Sequence, residues 1–415
     1  MKSNNYTIIL GGGFLGLFTL LHLLLQNYSK PIILIDKNKR FTFKPLLYDL
    51  LSQELDEYQV CPRYTDLLKD SGVKFVPSEV EEIDLHSQKV KINSNQEYNY
   101  ENLVLALGSP TGYFGVKGAS DNTFNFRNYE DAIALQRQLR NSLQQAMQTT
   151  EVEQRRKLLT VAIVGAGPTG VELAATLADI VPKWYVDMGG LQDEIRIILI
   201  NRGDSILSGG SNEGLRQAAE TALQNRRIPV ELQMNASVTK VEKERLEFER
   251  DNQKECLEAA TIVWTTGTTT HPLIESLPIS SEKRTEKGRL QVLPTLQLPQ
   301  FPNVFAGGDC ATPIGNSQPP LAQVAYQQGA IIADNLKALS TGNSLCDSNV
   351  NIRGTLMKFG IGEAGANLFD SAIVTGEPAH LIRQSRYLTT LPTPVHNFKA
   401  VTEWITEEIF SANRI

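Results

Sequence analysis

The chain is expected to be α/β, because one strand–glycine turn–helix–strand unit occurs twice in it. The first unit begins at Tyr6 and the second at about residue 159. Two further apolar strands, 103–108 and 262–267, each end at a glycine near the close of one unit. A length of 415 residues exceeds one ordinary core, so two or three domains are expected.

Tyr6–Leu10 is short, apolar and β-prone, as a central parallel strand should be. It runs into Gly11, Gly12, Gly13, Phe14, Leu15 and Gly16, then an apolar helical stretch over 14–25 and a second strand over 32–35 ending in Asp36. Gly11 permits the tight turn, Gly13 lets backbone approach a pyrophosphate at the helix N-terminus, and Gly16 lets helix and strand pack closely. Asp36 lies about twenty residues past Gly16, where a carboxylate can accept both hydroxyls of an adenosine ribose. Strand, glycines, helix, strand and terminal acid together point to a Rossmann-like dinucleotide site.

The pattern recurs with a strand over 159–164, the turn Gly165, Ala166, Gly167, Pro168, Thr169, Gly170, a helix from Val171 and a strand over 195–200. The helix-to-strand connection is expected to be longer here, with an insertion over 182–193. Two dinucleotide folds imply two dinucleotides, one donating and one staying bound as a relay. In the second unit Asn201 takes the place of Asp36, and Arg202 follows it. A neutral amide beside a guanidinium favours a 2′-phosphate, so the site leans toward NADPH or dual use with NADH.

Asn303-Val304-Phe305-Ala306-Gly307-Gly308-Asp309 is an apolar strand running into small residues and one acid. This resembles the flavin motif of two-dinucleotide flavoproteins, in which the aspartate bonds the ribityl chain. It implies an FAD domain split by an inserted NAD(P) domain. The expected boundaries are 1–120 with 290–345 for FAD, 121–289 for NAD(P)H, and 346–415 for a C-terminal membrane-interface or dimerisation segment.

The net charge of −6 argues against general nucleic-acid binding. Cys61, Cys256, Cys310 and Cys346 have neither CxxC nor metal-ligand spacing, which fits free thiols in a reducing compartment and disfavours a disulfide reductase. The histidines are dispersed, so no metal is expected. Residues 1–5 are short and polar, so no secretory signal is expected. No apolar run approaches the roughly 20 residues that span a bilayer.

Together these motifs resemble the type II NAD(P)H:quinone oxidoreductases over nearly the whole chain. The resemblance implies hydride transfer from NAD(P)H to non-covalent FAD, then two-electron reduction of a membrane quinone. It places Lys44, Pro45, Leu46, Leu47 and Tyr48 along the isoalloxazine and Glu172 near the nicotinamide. It adds Lys37, Val80, Ala106, Gly108, Gly308, Asp309, Gln323 and Val324 to the FAD set, and Thr266 and Gly267 to the NAD(P)H set. Residues 322–329 match the family's quinone-site signature. Gln323 and Gln327 are spaced i and i+4, so both amides project from one helical face. They can donate to a quinone carbonyl without adding charge. Amides supply no protons, so water or another acid must. Many family members carry lysines in the segment corresponding to 364–375. This chain has none there, so a lysine role is not carried over.

Tyr387-Leu388, Leu391-Pro392-Thr393, His396, Phe398-Lys399 and Trp404 resemble the ending of a plant-plastid and cyanobacterial branch that acts on plastoquinone and demethylphylloquinone. With no transit peptide, the resemblance implies a cyanobacterial member of phylloquinone biosynthesis, peripheral on the cytoplasmic face of a thylakoid or plasma membrane. Phe398, Val401, Ile405 and Ile409 fall at helical spacing beside Trp404, with Arg383, Arg386 and Lys399 adding positive charge. Such a helix can lie in a membrane interface, or pack on the protein body or on the second subunit of a homodimer. Two alternatives are a sulfide:quinone oxidoreductase, which needs a redox cysteine pair at the flavin, and a non-catalytic flavin- and NAD(P)H-sensing protein.

Overall fold

The computed structural model describes residues 6–209, 212–368 and 372–411. The first unit opens with β1 (Tyr6–Leu10), α1 (Phe14–Leu25) and β2 (Ile32–Asp36), followed by the short helix α2 (Leu47–Ser52), β3 (Lys74–Pro77) and β4 (Glu97–Leu105). β1 lies between β2 and β4, parallel to both, pairing Ile9 with Leu34 and with Val104. Its four residues from Thr7 to Leu10 are fully buried, as an apolar central strand requires.

A long helix α3 (Tyr129–Gln148), N-capped by the Asn128 side chain, leads into the second unit. Here β5 (Thr160–Val164), α4 (Pro168–Asp187), β6 (Arg196–Ile200), β7 (Glu231–Gln233) and β8 (Thr261–Trp264) form a parallel sheet ordered β8-β5-β6-β7. The expected insertion over 182–193 is largely helix. α4 continues through Pro182 to Asp187, and a short 3-10 turn follows at Gln192–Glu194. Proline forfeits one backbone hydrogen bond inside a helix. Burial of Ile180, Val181, Trp184 and Tyr185 around it holds the last turns in place.

The chain then returns to the first sheet. β9 (Phe301–Ala306) pairs in parallel with β4, aligning Phe305 with Val104, and α5 (Ala322–Thr341) packs on α1. The approach of α5 to α1 is close: a Cβ at Gly329 would lie 2.8 Å from the Leu15 carbonyl oxygen.

The C-terminal part carries a sheet that no sequence motif marks. β10 (Thr355–Gly360), β11 (Glu363–Leu368) and β12 (Ala372–Gly376) form an antiparallel meander, followed by α6 (Glu377–Leu388) and α7 (Pro394–Ser411). β10 packs on α4. Arg226 fastens the sheet to the second unit through Asp179, at 3.2 Å, and Glu363. No helix among the described residues is long and apolar enough to cross a membrane.

Candidate active site

Each glycine turn has the geometry that a bound pyrophosphate needs. Gly11 takes a left-handed φ of +96°, and a Cβ there would lie 2.4 Å from the Ala106 carbonyl oxygen. A Cβ on Gly13 would meet nothing within 4 Å, so its backbone faces open space at the start of α1. Asp36 sits at the strand end, its carboxylate accepting from Gly12 N–H at 2.6 Å and Asn38 N–H at 2.7 Å. Burial pushes this carboxyl above its ordinary range, against those two donors. Tyr64, which belongs to no motif, donates its hydroxyl to the Gly12 carbonyl at 2.8 Å and fixes the turn from behind. Lys37 is exposed beside Glu79, and Val80 is buried at the start of a neighbouring strand.

The second turn repeats this layout. Gly165 has φ +110°, its would-be Cβ meets Thr266 at 2.6 Å, and Gly167 faces open space. Pro168 opens α4, where its missing N–H costs nothing. Asn201 Oδ1 accepts from Ala166 N–H at 3.4 Å, the counterpart of the bond between Gly12 and Asp36. Its Nδ2 donates to Ser205 O at 2.9 Å, so the amide also organises the following loop. Arg202 is exposed.

Between the two units lies a cavity of about 230 Å³. Lys44, Leu47 and Tyr48 line it from the first unit, and Thr169, Trp264, Thr265, Gly267 and Thr268 from the second. Thr111, Phe126 and Arg127, from the crossover, complete the lining. On the first-unit side Asp309 accepts from Ser109 Oγ at 2.9 Å, just past Gly108. Gly308 N–H donates to Gln328 Oε1 at 2.6 Å, and Leu15 packs against Gly307 and Gly308. The two motifs predicted for the flavin therefore touch.

Beneath the cavity is a buried ionic cluster. Glu172, just past the first turn of α4, accepts the Lys358 backbone N–H at 2.7 Å and is bonded to the Tyr48 side chain. Burial pushes the Glu172 carboxyl up to about 7, opposed by Arg383, the Lys358 N–H and Tyr48. Lys358 Nζ reaches Asp49 at 3.0 Å and also Glu54. Arg383 donates to both Asp49 oxygens, at 3.0 and 3.3 Å, and to the Pro45 carbonyl. Gln384 donates to Asp49 at 3.0 Å. Burial alone would raise Asp49, but the Arg383 and Lys358 cations hold it at about 2. His380 stands beside the cluster, lowered by burial and then by the Lys358 charge. Asp49, Lys358 and this role of Arg383 are not among the residues expected from sequence. Asp49 follows directly on the singled-out Lys44–Tyr48 segment, and Lys358 is the one charge inside the apolar run of β10. No local pattern links them.

Gln323 and Gln327 do share one face of α5, and both hold the extended segment 351–354. Gln323 accepts from Arg353 N–H at 3.0 Å and donates to Gly354 O at 3.2 Å. Gln327 accepts from Asn351 N–H at 3.1 Å and donates to Asn351 O at 3.0 Å and Gln323 O at 2.8 Å. A side-chain amide has two N–H groups. Gln327 uses both on backbone, whereas Gln323 keeps one spare among the described residues. Val324 is buried beside them.

Comparison with known proteins places this arrangement. The pyridine nucleotide-disulphide oxidoreductase family matches residues 6–329. A demethylphylloquinone reductase from Synechocystis sp. is 34% identical, with 97% of this chain and 96% of that protein covered. The chain belongs to the type II NAD(P)H:quinone oxidoreductase family. Further members are an alternative NAD(P)H-ubiquinone oxidoreductase from Arabidopsis thaliana, 30% identical over 95% of this chain and 79% of its own, and a type II NADH:quinone oxidoreductase from Mycobacterium tuberculosis, 31% identical over 81% and 73%. The fold matches NDH2 from Plasmodium falciparum solved with NADH, at a TM-score of 0.86 and 19% identity, covering 98% of each chain. A sulfide:quinone oxidoreductase from Aquifex aeolicus shares the fold at a TM-score of 0.72 and 18% identity, covering 92% and 90%. Fold alone therefore does not separate the two activities. The cysteines do bear on it: all four are free, and burial raises the Cys61 and Cys310 thiols to about 12 and about 11, away from the reactive thiolate.

Part of the C-terminal helix packs on the protein body, one of the placements its spacing allowed. In α7, Ala400 is buried, and Val401 and Trp404 pack against the main core. His396 bonds Gln59 O at 3.0 Å. Ile405 is 43% exposed. The side chains of Phe398 and Ile409 lie outside the described residues. Of the three cations expected to flank a membrane, Arg383 is buried in the ionic cluster and Arg386 donates to Tyr326 Oη at 3.2 Å, because both lie on faces of α6 turned toward the body. Lys399 stays exposed, 3.6 Å from Glu403.

Proposed function

We propose that the chain is an FAD-dependent NAD(P)H:quinone oxidoreductase acting on a membrane quinone of the plastoquinone or demethylphylloquinone type. The observation that carries this reading is the cavity shared by the two units, lined by Lys44, Leu47 and Tyr48 from the first and by Thr169, Thr265 and Gly267 from the second. On this reading residues 1–120 and 290–345 hold FAD and 121–289 hold NAD(P)H. The open backbone at Gly13 and the carboxylate of Asp36 fit a pyrophosphate and an adenosine ribose. Gly167 and Asn201 offer the same to the pyridine nucleotide. Bound there, FAD supplies the hydride acceptor and the two-electron relay to quinone.

The protein's own part is orientation and proton supply. Quinone reduction consumes two protons, and Glu172, at about 7, holds and releases one near neutral pH. The Lys358 N–H and Tyr48 keep its carboxyl in place. The spare N–H of Gln323 is the donor available to a quinone carbonyl. The membrane is met through the C-terminal segment on the cytoplasmic face, and that segment also offers a surface for a homodimer.

The test is direct. The purified protein should release FAD, not FMN, on heating. NADPH or NADH should bleach its flavin anaerobically, and a quinone should restore the colour. Bleaching without restoration would favour a sensing role, and restoration coupled to sulfide alone would favour the sulfide enzyme.

A further inference from the structure

The cavity between the two units is lined by two cations, Lys44 and Arg127, and, among the described residues, by no carboxylate. Arg127 arrives on the crossover between the two units and is held there. Its guanidinium donates to Ser109 O at 2.5 Å, and its backbone N–H donates to Asp131 at 2.9 Å. Ser109 in turn bonds Asp309 at 2.9 Å, so the guanidinium and the candidate ribityl aspartate are fixed to one residue. Lys44 keeps accessible surface because it opens onto the cavity. Burial lowers both cations, and Arg127 lowers Lys44 further, while Asp309 and Asp131 behind them compensate in part. Two like charges facing one confined space are best satisfied by negative charge arriving in it.

We infer that Arg127, together with Lys44, stabilises the negative charge that a bound flavin acquires on reduction, and so sets its potential. This rests on the FAD reading above. Hydride transfer moves two electrons and one proton from the nicotinamide C4 to the flavin. The nicotinamide leaves as a cation, and the ring gains one unit of negative charge. With a cation beside it the ring keeps that charge and takes up no second proton. Charge near the ring is one of the means by which a protein tunes a flavin.

The readout is the midpoint potential of the bound flavin, measured against a reference dye across pH. The wild-type potential should fall with pH as for one proton per two electrons. Arg127→Gln keeps a donor for Ser109 O but loses the charge. It should lower the ratio of reduced to oxidised flavin at fixed potential at least about tenfold, a shift of about 30 mV for a two-electron couple. Arg127→Lys keeps the charge and should retain most of the wild-type value. A flavin-loaded Arg127→Gln with the wild-type potential would overturn the inference. So would Arg127→Lys shifting as far as Arg127→Gln, which would assign the effect to the Ser109 bond. A wild-type slope of two protons per two electrons near neutral pH would overturn it without any variant. A wild-type protein that binds no flavin would instead defeat the FAD reading itself.

Discussion

Glu172→Gln separates the electrostatic cost of the buried carboxyl from its use. The native carboxyl is raised from 4.5 to about 7. Between those values the folded state binds more protons than the unfolded chain, so stability falls as pH rises through this window. Below about 4.5 both states are protonated and the cost vanishes. Above about 7 it is fully present, and at 1.36 kcal/mol per unit it comes to about 3 kcal/mol. Glutamine keeps the oxygen that accepts Lys358 N–H and can never ionise. Denaturant unfolding should therefore find Glu172→Gln about 3 kcal/mol more stable than wild type at pH 8.5 and nearly equal to it at pH 4.5. The same variant should slow flavin reoxidation by quinone and remove the decline of that half-reaction above pH 7, because the protonated form is the one consumed. An equal stability difference at both pH values would refute the placement of the carboxyl near 7. An unchanged pH profile with altered stability would refute its role as proton source.

Three further outcomes are expected. Arg383→Met should cost about 3–5 kcal/mol in denaturant unfolding, because it leaves Asp49 buried with one cation fewer. The double variant Asp49→Asn with Arg383→Met should be less destabilised than Arg383→Met alone. Gln323→Leu should leave flavin reduction by NAD(P)H intact and slow reoxidation by quinone in stopped flow, whereas Gln327→Leu should mainly speed proteolysis near residue 351. Equal effects of the two on reoxidation would contradict the count of spare N–H groups. Asn201→Asp should recreate the pairing of Asp36 with Gly12 and shift the ratio of specificity constants toward NADH by about tenfold, the worth of one charge-assisted hydrogen bond. Arg202→Ala should act in the same direction but less. A wild type already strongly selective for NADH would remove the basis of both.

What could be read from sequence was whatever the backbone demands locally. Gly11, Gly13 and Asp36 are fixed by one turn, one helix start and one strand end, all within thirty residues. Their counterparts at Gly165, Gly167 and Asn201 follow the same rule. The run through Pro182 was misread because proline reports only its missing N–H, while the burial of Trp184 and Tyr185 depends on distant partners. The meander strands Thr355–Gly360, Glu363–Leu368 and Ala372–Gly376 have no glycine turn motif of the nucleotide-binding kind to announce them, and Gly360-Ile361-Gly362 breaks the apolar alternation between the first two. The shared face of Gln323 and Gln327 followed from helical spacing. Their hold on residues 351–354 did not, since backbone partners carry no sequence signature.

The ionic cluster also explains why the C-terminal part belongs to the chemistry. Asp49 comes from the first unit, Glu172 from the second, and Lys358 and Arg383 from the meander and the helix after it. None of these charges is balanced within its own region. A buried carboxylate with a single partner removed is strongly destabilising, so the three regions stabilise one another only when all are in place. The same closure sets the proton affinity of Glu172. Burial raises it, and Arg383, from the far end of the chain, limits the rise. If α6 moved away from α2, Glu172 would lose that cation and also some of the burial around it. The two changes act in opposite directions on its carboxyl, so the value near 7 depends on the docked position of α6. A C-terminal segment serving only as a membrane anchor would have no need to carry Arg383 into the core.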